Sequence, residues 1–366
     1  MGTKAVGGLA CGPEDVDAAW FTAALRGSGT LAEAEVVDYD AEPIGTGQVG
    51  HNVRFTLRYD REEDGAPPTV VAKFPSPDET SRATGVAIGT YDKEARFYES
   101  LAGAVEIRLP RCHLVQHDEE AHLATLLFDD LAPAEQGDQI RGCSTAQAEV
   151  VVEELAALHA PMWDDPRLDD IGWLARPQPE NGEAIQGFYG ALWPGFCERY
   201  GDRLSDEARR LGERFGHGLA TWSRRRVDGP HTVVHGDFRL DNLLFGVDGS
   251  RPVVTTVDWQ TVAIGIGTDD LAYFLGAGLL PEDRRTHERQ LVRRYHDLLV
   301  GRGVEGYDWE RCWEDYCWFS LSGFQMAVVA SMIVRADERG DAMFLAMAER
   351  HACQAFDLGA DEVLPA

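Results

Sequence analysis

The octet from His235 to Asn242 carries the residues of this chain whose spacing is best suited to chemistry. Asp237 and Asn242 stand five positions apart on a polar turn, and the second of two following apolar runs ends at Asp258. Mg²⁺ is usually held by one or two carboxylates together with substrate phosphates and water. Asn242 and Asp258 could therefore hold the cation of a metal-bound phosphate, while Asp237 accepts a proton from a hydroxyl.

The two apolar runs after Asn242 predict a β-hairpin. Residues 246–252 are rich in turn formers, and residues 253–257 are β-branched and read as a returning strand. Position 250 lies midway between 242 and 258, so a hairpin folding there would return Asp258 to Asn242. The alternative is a polar turn before a hairpin whose acids merely face solvent.

A glycine-rich segment precedes an alternating run near the start of the chain. Gly45, Gly47 and Gly50 fit the spacing G-x-G-x-x-G. A dinucleotide site would need a helix next, but residues 52–59 alternate between apolar and polar, which indicates a strand. A glycine loop between two strands lets main-chain amides approach phosphates. An ordinary glycine-rich hairpin is the alternative.

Lys73 is the one charged residue in the strand-like run 70–74. An unpaired buried charge is costly, so this lysine needs a partner. Residues 92–101 follow helical spacing, and Glu94 shares a face with the large apolar residues of that helix. We therefore predict a Lys73–Glu94 ion pair that directs the ammonium group toward phosphates. The alternative places both side chains on exposed faces.

A change in composition marks a boundary between two lobes. A strand-like run ends near Phe128 and gives way to turn residues and then to helical patterns. We predict an N-lobe of residues 1–131 and a C-lobe of residues 132–366. The backbone of Phe128, Asp129 and Leu131 is expected to meet the adenine edge of a nucleotide.

The C-lobe is helical in pattern. Residues 146–159 form an amphipathic repeat ending at His159, for which we expect a structural role. A helix start is predicted near Thr268, where a capping residue precedes an apolar run. Asp269 or Asp270 could brace the catalytic loop from that position.

Length and composition limit the class of protein. A chain of 366 residues with 44% apolar residues suits two lobes with buried cores. A net charge of −28 argues against a nucleic-acid partner. Without a run of about 18 apolar residues we expect no membrane partner, and we see no secretory signal. Seven dispersed cysteines suggest reduced thiols and a cytoplasmic location.

Together these motifs resemble the aminoglycoside phosphotransferase superfamily of small-molecule kinases, with its choline-kinase and ecdysteroid-kinase-like branches. The resemblance runs from about Glu42 to Leu280, and the glycine loop and the helix end at His159 look most like the ecdysteroid-kinase-like branch. It implies an α+β, protein-kinase-like fold of two lobes, a small mixed α/β N-lobe and a larger, mainly helical C-lobe. It also implies ATP and Mg²⁺ as cofactors.

The resemblance also assigns roles to residues. Asp237 matches the base that takes the proton of the substrate hydroxyl, and Asn242 and Asp258 match the magnesium ligands. Lys73 and Glu94 match the ion pair that orients the phosphates.

Three positions depart from protein kinases. Gly236 replaces the arginine before the base, and Trp259 follows Asp258 where Phe-Gly would stand. Arg239 stands where protein kinases carry a lysine, and its guanidinium could contact the γ-phosphate. No long activation segment follows Asp258. Gly236 and the lack of an activation segment disfavour protein substrates, and Trp259 argues against the in/out switch of protein kinases.

The sequence thus favours an ATP-dependent phosphotransferase acting on a hydroxyl of a small molecule. The acceptor stays open among an antibiotic, a sugar-like or steroid-like molecule and another metabolite. The acidic composition suggests a cationic acceptor such as an aminoglycoside, whereas the aromatic last third suggests a flatter, apolar one such as a steroid or macrolide. The alternative function is a catalytically silent nucleotide-binding scaffold or ligand sensor. The oligomeric state is not set by the sequence.

Overall fold

The computed structural model describes residues 8–45, 50–334 and 337–365, which fold as two compact units. The first unit comprises the described residues up to Ala104 together with Leu109–Pro133 and Val257–Thr261. The second comprises Val105–Arg108, Ala134–Thr256 and the described residues from Val262 onward. Val105–Arg108 precedes the predicted boundary at 131/132 but belongs to the second unit, and Val257–Thr261 follows that boundary but belongs to the first unit.

The first unit is built on an antiparallel sheet in the order β1-β2-β3-β5-β4. Its strands are β1 (Val36–Ile44), β2 (Gly50–Tyr59), β3 (Thr69–Pro75), β4 (Cys112–Asp118) and β5 (Leu123–Asp129). Its helices are α1 (Ala18–Gly27), α2 (Glu79–Ile88) and α3 (Thr90–Arg96), and α3 is continued by a π-helical turn, Phe97–Leu101.

The predicted alternation in β2 decides which face of the sheet is buried. Val53, Phe55 and Leu57 are buried in one cluster with Phe21 of α1, because successive side chains of a strand point to opposite faces. The strand prediction after the glycine segment is confirmed. The first helix begins at Ala18, where Asp17 caps it by accepting a hydrogen bond from Trp20 N.

The second unit is mainly helical. Its helices are α4 (Thr145–His159), α5 (Asn181–Tyr200), α6 (Asp206–Ser223), α7 (Gly267–Gly278), α8 (Pro281–Gly301), α9 (Trp309–Phe319), α10 (Ser322–Ile333) and α11 (Glu338–Asp357). Its short strands are β6 (Glu135–Gln136), β7 (Thr232–Val234), β8 (Leu243–Asp248), β9 (Arg251–Thr256) and β10 (Ala263–Gly265). A sheet-based first unit and a helical second unit are the α+β organisation that the sequence predicts.

The predicted hairpin is present as β8 and β9. Leu243 pairs with Thr256 and Asp248 with Arg251, so the chain turns at Gly249 and Ser250. Gly249 has φ +62°, a left-handed conformation that glycine adopts without a steric penalty.

One described stretch, Trp309–Ile333, is long and apolar enough by composition to cross a membrane. It spans α9 and α10, and 56% of its most apolar window is buried inside the protein. That burial is expected of helices in a protein core. Residues 316–333 of this stretch carry no charged side chain, but Ser320, Ser322 and Gln325 interrupt the apolar residues, so it is not a continuous apolar run.

Candidate active site

The octet forms a tight loop directly after β7 in the second unit. Gly236 has φ +82°, a conformation that residues with a Cβ rarely adopt. The N–H groups of His235 and Gly236 donate to the two carboxylate oxygens of Asp270, at 2.7 and 2.9 Å. Asp270 lies in the first turn of α7, so this helix fixes the backbone of the loop. The predicted bracing role thus falls to Asp270.

Asp270 is itself held by buried partners. His159 Nε2 lies 3.4 Å from its carboxylate, and His159 Nδ1 lies 2.7 Å from the Tyr295 hydroxyl. Burial alone would raise the pKa of Asp270, but His159 and the contact with His235 outweigh it and lower the pKa. The structural role expected of His159 is confirmed.

Asp237, the predicted base, accepts hydrogen bonds from three side chains. Arg239 Nε donates to both carboxylate oxygens, at 3.1 and 3.0 Å. The Tyr273 hydroxyl donates to Oδ1 at 2.8 Å, and Asn242 Nδ2 donates to Oδ2 at 3.0 Å. The side chain remains 21% exposed. These donors fix the orientation of the carboxylate while leaving part of it open to a substrate.

Arg239 is engaged by carboxylates within the loop. Besides Asp237, its guanidinium binds Asp241 at 2.9 Å, and Arg339 of α11 binds the same Asp241 at 3.0 Å. Burial alone would lower the pKa of Arg239, but Asp237, Tyr273 and Asp241 outweigh it and raise the pKa. A contact between Arg239 and the γ-phosphate stays a prediction, and it would require the guanidinium to share these partners.

Asn242 stands directly before β8, with its amide nitrogen turned toward Asp237. Nδ2 donates to the main-chain oxygen of Asp237 at 2.8 Å as well as to its carboxylate. The other atom of the amide is an oxygen, which is the ligand type that Mg²⁺ prefers. The donor chemistry of Asn242 and Asp258 therefore fits the cation, and their magnesium role stays a prediction.

The predicted ion pair between Lys73 and Glu94 forms in the first unit. Lys73 Nζ lies 2.8 and 2.7 Å from the two carboxylate oxygens of Glu94 and 3.0 Å from Oδ1 of Asp258. Burial alone would lower the pKa of Lys73, but Asp258 and Glu94 outweigh it and raise the pKa to about 12. For Glu94, burial raises the pKa against the opposing effect of Lys73. The ammonium therefore keeps its charge at neutral pH.

Asp258 has an unusual backbone conformation. Its φ is +69°, which is uncommon for residues other than glycine and costs about 1 kcal/mol. Trp259 stabilises this backbone conformation. Its N–H donates to Glu94 at 3.2 Å, and its ring stacks on Phe97 at 3.9 Å between centroids. This packing keeps the Asp258 carboxylate on Lys73 while leaving it 36% exposed.

The glycine segment connects β1 and β2. Gly45 has φ +74°, and Gly47 lies outside the described residues. A Cβ on Gly50 would lie 2.9 Å from Lys73 Cε, which is too close without movement of the lysine. A glycine at position 50 therefore lets the main chain run against the lysine that is predicted to orient the phosphates.

The predicted adenine segment lies at the end of β5. Phe128 is paired with Val71 in the sheet, and its ring packs against Tyr98 at 4.9 Å between centroids. Asp129 N donates to a main-chain oxygen at 2.9 Å, that of Arg111. Leu131 follows the end of the strand and is half-buried. The contact of these residues with adenine stays a prediction.

Sequence reasoning missed Tyr273 and Arg339. Tyr273 lies three residues after Asp270, so both project from the same face of α7. That spacing was a usable signal. Arg339 lies almost a hundred residues after its partner Asp241, and the sequence offers no local pattern that would connect them.

A partly exposed carboxylate held at a tight loop, and a lysine held by two carboxylates, are each the kind of group that a phosphotransferase uses. Residues 46–313 match the model of the phosphotransferase enzyme family called APH. The match covers well over half of the chain, so the chain belongs to this family.

Solved structures show the same fold. Choline kinase from Cryptosporidium parvum has a TM-score of 0.55 at 10% identity, covering 89% of this chain and 92% of that one. A variant of aminoglycoside 2'-phosphotransferase-IIIa in complex with GDP has a TM-score of 0.51 at 15% identity, covering 89% and 95%. The protein-kinase-like fold class predicted from the sequence is confirmed.

A curated relative matches part of the chain. Acyl-CoA dehydrogenase family member 11 of Pongo abelii is 23% identical over 168 residues, which are 44% of this chain. The match spans only 18% of the length of that relative.

Proposed function

We propose that this chain transfers the γ-phosphate of ATP to a hydroxyl of a small molecule in a magnesium-dependent reaction. The observation that carries the proposal is the geometry of Asp237, whose carboxylate is oriented by Tyr273, Arg239 and Asn242 and remains partly exposed. Membership of the phosphotransferase family supports the reaction class.

In the proposed reaction the acceptor oxygen forms a bond to the γ-phosphorus while the bond to the bridging β,γ-oxygen of ATP breaks. The hydroxyl proton passes to a carboxylate oxygen of Asp237, and ADP leaves. Positioning and charge neutralisation supply most of the catalysis in such reactions. Because the Asp237 carboxylate is fixed in orientation, it can accept a hydrogen bond from the acceptor hydroxyl before taking its proton.

Lys73 would supply positive charge to the phosphates. Its ammonium is fixed by Glu94 and Asp258 and lies against the main chain of Gly50. Bound magnesium would neutralise charge on the phosphate oxygens, and Asn242 and Asp258 are the residues that would hold it. Phe128, Asp129 and Leu131 would border the adenine.

The test measures ADP release across a panel of hydroxylated small molecules. Asp237→Asn keeps the size of the side chain and removes its capacity as a base, so we expect turnover to fall by about 10²–10⁴-fold. Asp202→Asn is the matched control, because Asp202 is an exposed acid of the second unit. Equal turnover in wild type and Asp237→Asn would refute the role of Asp237.

A catalytically silent nucleotide sensor is the competing proposal. The observation in its favour is that Arg239 and Tyr273 already donate to Asp237, which leaves fewer sites for a substrate hydroxyl. A sensor would bind ATP without turnover, and its affinity would be insensitive to magnesium and to Asp258→Ala. A phosphotransferase would lose affinity or turnover in both cases.

We also propose a cytoplasmic location and no nucleic-acid or membrane partner. All seven cysteines are free thiols in the described residues, which suits a reducing compartment. The net charge of −28 disfavours contact with phosphate backbones. Fractionation of the expressing cell tests the location, and recovery in the membrane fraction would contradict it.

A further inference from the structure

A cavity of about 340 Å³ adjoins the catalytic loop within the second unit. Gly236 and Tyr273 both line it. Gly236 directly precedes Asp237, and the Tyr273 hydroxyl donates to Asp237. A molecule in this cavity, which we call the acceptor cavity, would therefore lie beside the predicted base.

The walls of the acceptor cavity are largely apolar. They come from residues 175–178, α5, β7, α10 and the segment from β10 to the start of α7. The main apolar contributors are Ile185, Val234, Ile264, Ile266, Met326 and Val329. Burial of apolar surface gives roughly 25 cal/mol per Å². These walls favour a hydrocarbon chain over a hydrated polyol.

The carboxylates of the cavity are already neutralised. Asp270 accepts hydrogen bonds from two N–H groups of the catalytic loop, and Asp269 is paired with Arg226 at 2.8 Å. Burial raises the pKa of Asp269, which further disfavours a free negative charge. Arg176, the other cation, is paired with Asp169 at 2.9 Å. An ammonium group in the cavity would find no carboxylate without competing with one of these arginines or N–H groups.

Three polar atoms of cavity residues are buried without a hydrogen-bond partner in the described part of the chain. Arg176 Nη2 is already ion-paired with Asp169, which leaves Arg226 Nε, a donor, and Gln325 Oε1, an acceptor. A buried polar group without a partner costs about 1–3 kcal/mol. A hydroxyl can both donate and accept, so it would satisfy either atom.

The volume limits how much of the acceptor the cavity can enclose. A water molecule occupies about 30 Å³ in the liquid, so a cavity of about 340 Å³ has room for about eleven water-sized atoms. That is the size of a medium chain with one or two hydroxyls, and a three-ring aminoglycoside would not be enclosed.

We propose that the phosphate acceptor is an uncharged, mainly apolar alcohol of medium length, with a second polar group that bonds Arg226 or Gln325. The proposal rests on the proposed phosphotransferase function and names the acceptor class of the same site. The acidic composition of the chain suggested a cationic acceptor, but the carboxylates of this cavity already have partners.

The test compares two acceptors of equal length. 1,8-Octanediol is uncharged, whereas 8-amino-1-octanol carries an ammonium group at neutral pH, and kanamycin is included as a polycation. We expect ADP release with a kcat/KM at least tenfold higher for the diol than for the amino alcohol, and none above background with kanamycin. A higher kcat/KM for the amino alcohol or kanamycin would overturn the acceptor class and leave the phosphotransferase standing.

A carboxylate introduced into the cavity wall gives a second test of where the acceptor binds. Val329 lies in α10, where it is half-buried and lines the cavity. Its side chain forms no hydrogen bond, so replacing it removes no donor from the predicted base. Val329→Glu should reverse the preference toward the amino alcohol, and the matched variant Val329→Gln should not. No change in the ratio with Val329→Glu would contradict the placement of the acceptor.

Calorimetry without ATP separates the two proposals. Binding of the diol but not of the amino alcohol, with no ADP release for any alcohol, would support an uncharged, mainly apolar ligand for the cavity and refute the phosphotransferase. Failure of the diol to bind would overturn the acceptor class, whatever the enzyme does with other molecules.

Discussion

Replacing Tyr273 by phenylalanine tests how the base is held. The substitution removes only the hydroxyl that donates to Asp237 Oδ1 at 2.8 Å. Tyr273 is 4% exposed, so water does not readily replace that donor. Burial, followed by the charge of Asp237, raises the pKa of Tyr273 well above its ordinary value, which keeps the hydroxyl protonated and donating.

The magnitude follows from the charge of the acceptor. Hydrogen bonds to charged groups contribute about 1.5–3 kcal/mol, against about 0.5–1.5 kcal/mol for neutral pairs. Asp237 keeps its bonds from Arg239 and Asn242, so the loop should stay folded. We expect Tyr273→Phe to lower the free energy of unfolding by about 1.5–3 kcal/mol. If the same bond positions the base in the transition state, kcat should fall by at most about 10²-fold.

The assay is urea unfolding, followed by turnover with an accepted alcohol. Tyr189→Phe is the matched control, because Tyr189 is buried like Tyr273 but its hydroxyl donates to a neutral carbonyl, Gly212 O, at 3.2 Å. We expect Tyr189→Phe to cost about 0.5–1.5 kcal/mol and to leave kcat unchanged. A Tyr273→Phe protein that loses no more stability than Tyr189→Phe and keeps its kcat would refute the reasoning.

Three further perturbations address other parts of the chain. Gly50→Ala would place a Cβ 2.9 Å from Lys73 Cε, so we expect a raised KM for ATP, whereas Gly103→Ala adds a methyl group in open space and should leave it unchanged. Gly236→Ala should cost about 1 kcal/mol or more, because φ is +82°, and should lower kcat by displacing the base; unaltered kinetics would show that the loop tolerates the change. Burial lowers the pKa of His351 to about 3, so below pH ~6.5 the unfolded chain takes up a proton that the folded protein does not. Between pH ~6.5 and 5 urea unfolding should show a loss of about 2 kcal/mol that His351→Asn lacks, and parallel pH profiles for the two proteins would contradict this.

Local patterns predicted much of the fold. The alternation in β2 placed Val53 and Phe55 in the core, and the helical repeat predicted over residues 146–159 is α4. Such features depend on neighbours within one turn or one strand, so a single sequence contains the information.

The parts of the site that the sequence did not predict depend on distant partners. Arg239 was assigned to phosphate from its position alone, but Asp241 and Asp237 engage its guanidinium in the structure. The role of Arg339 requires knowing where α11 lies. Composition counts charged residues but does not show which of them pair, so it could not predict that the carboxylates of the acceptor cavity already have partners.

The assignment of Val257–Thr261 to the first unit has a consequence for biosynthesis. Trp259 fills the space against Phe97 and bonds Glu94, so the first unit lacks part of its core until this segment has been made. The ribosome adds 128 residues (261 − 133) between Pro133 and Thr261, which takes about 6–26 s at ~5–20 residues per second. During that interval the nascent first unit would expose Phe97. A chain ending near residue 133 would keep that exposure permanently, so the sheet-based unit cannot be isolated by truncation without losing core packing.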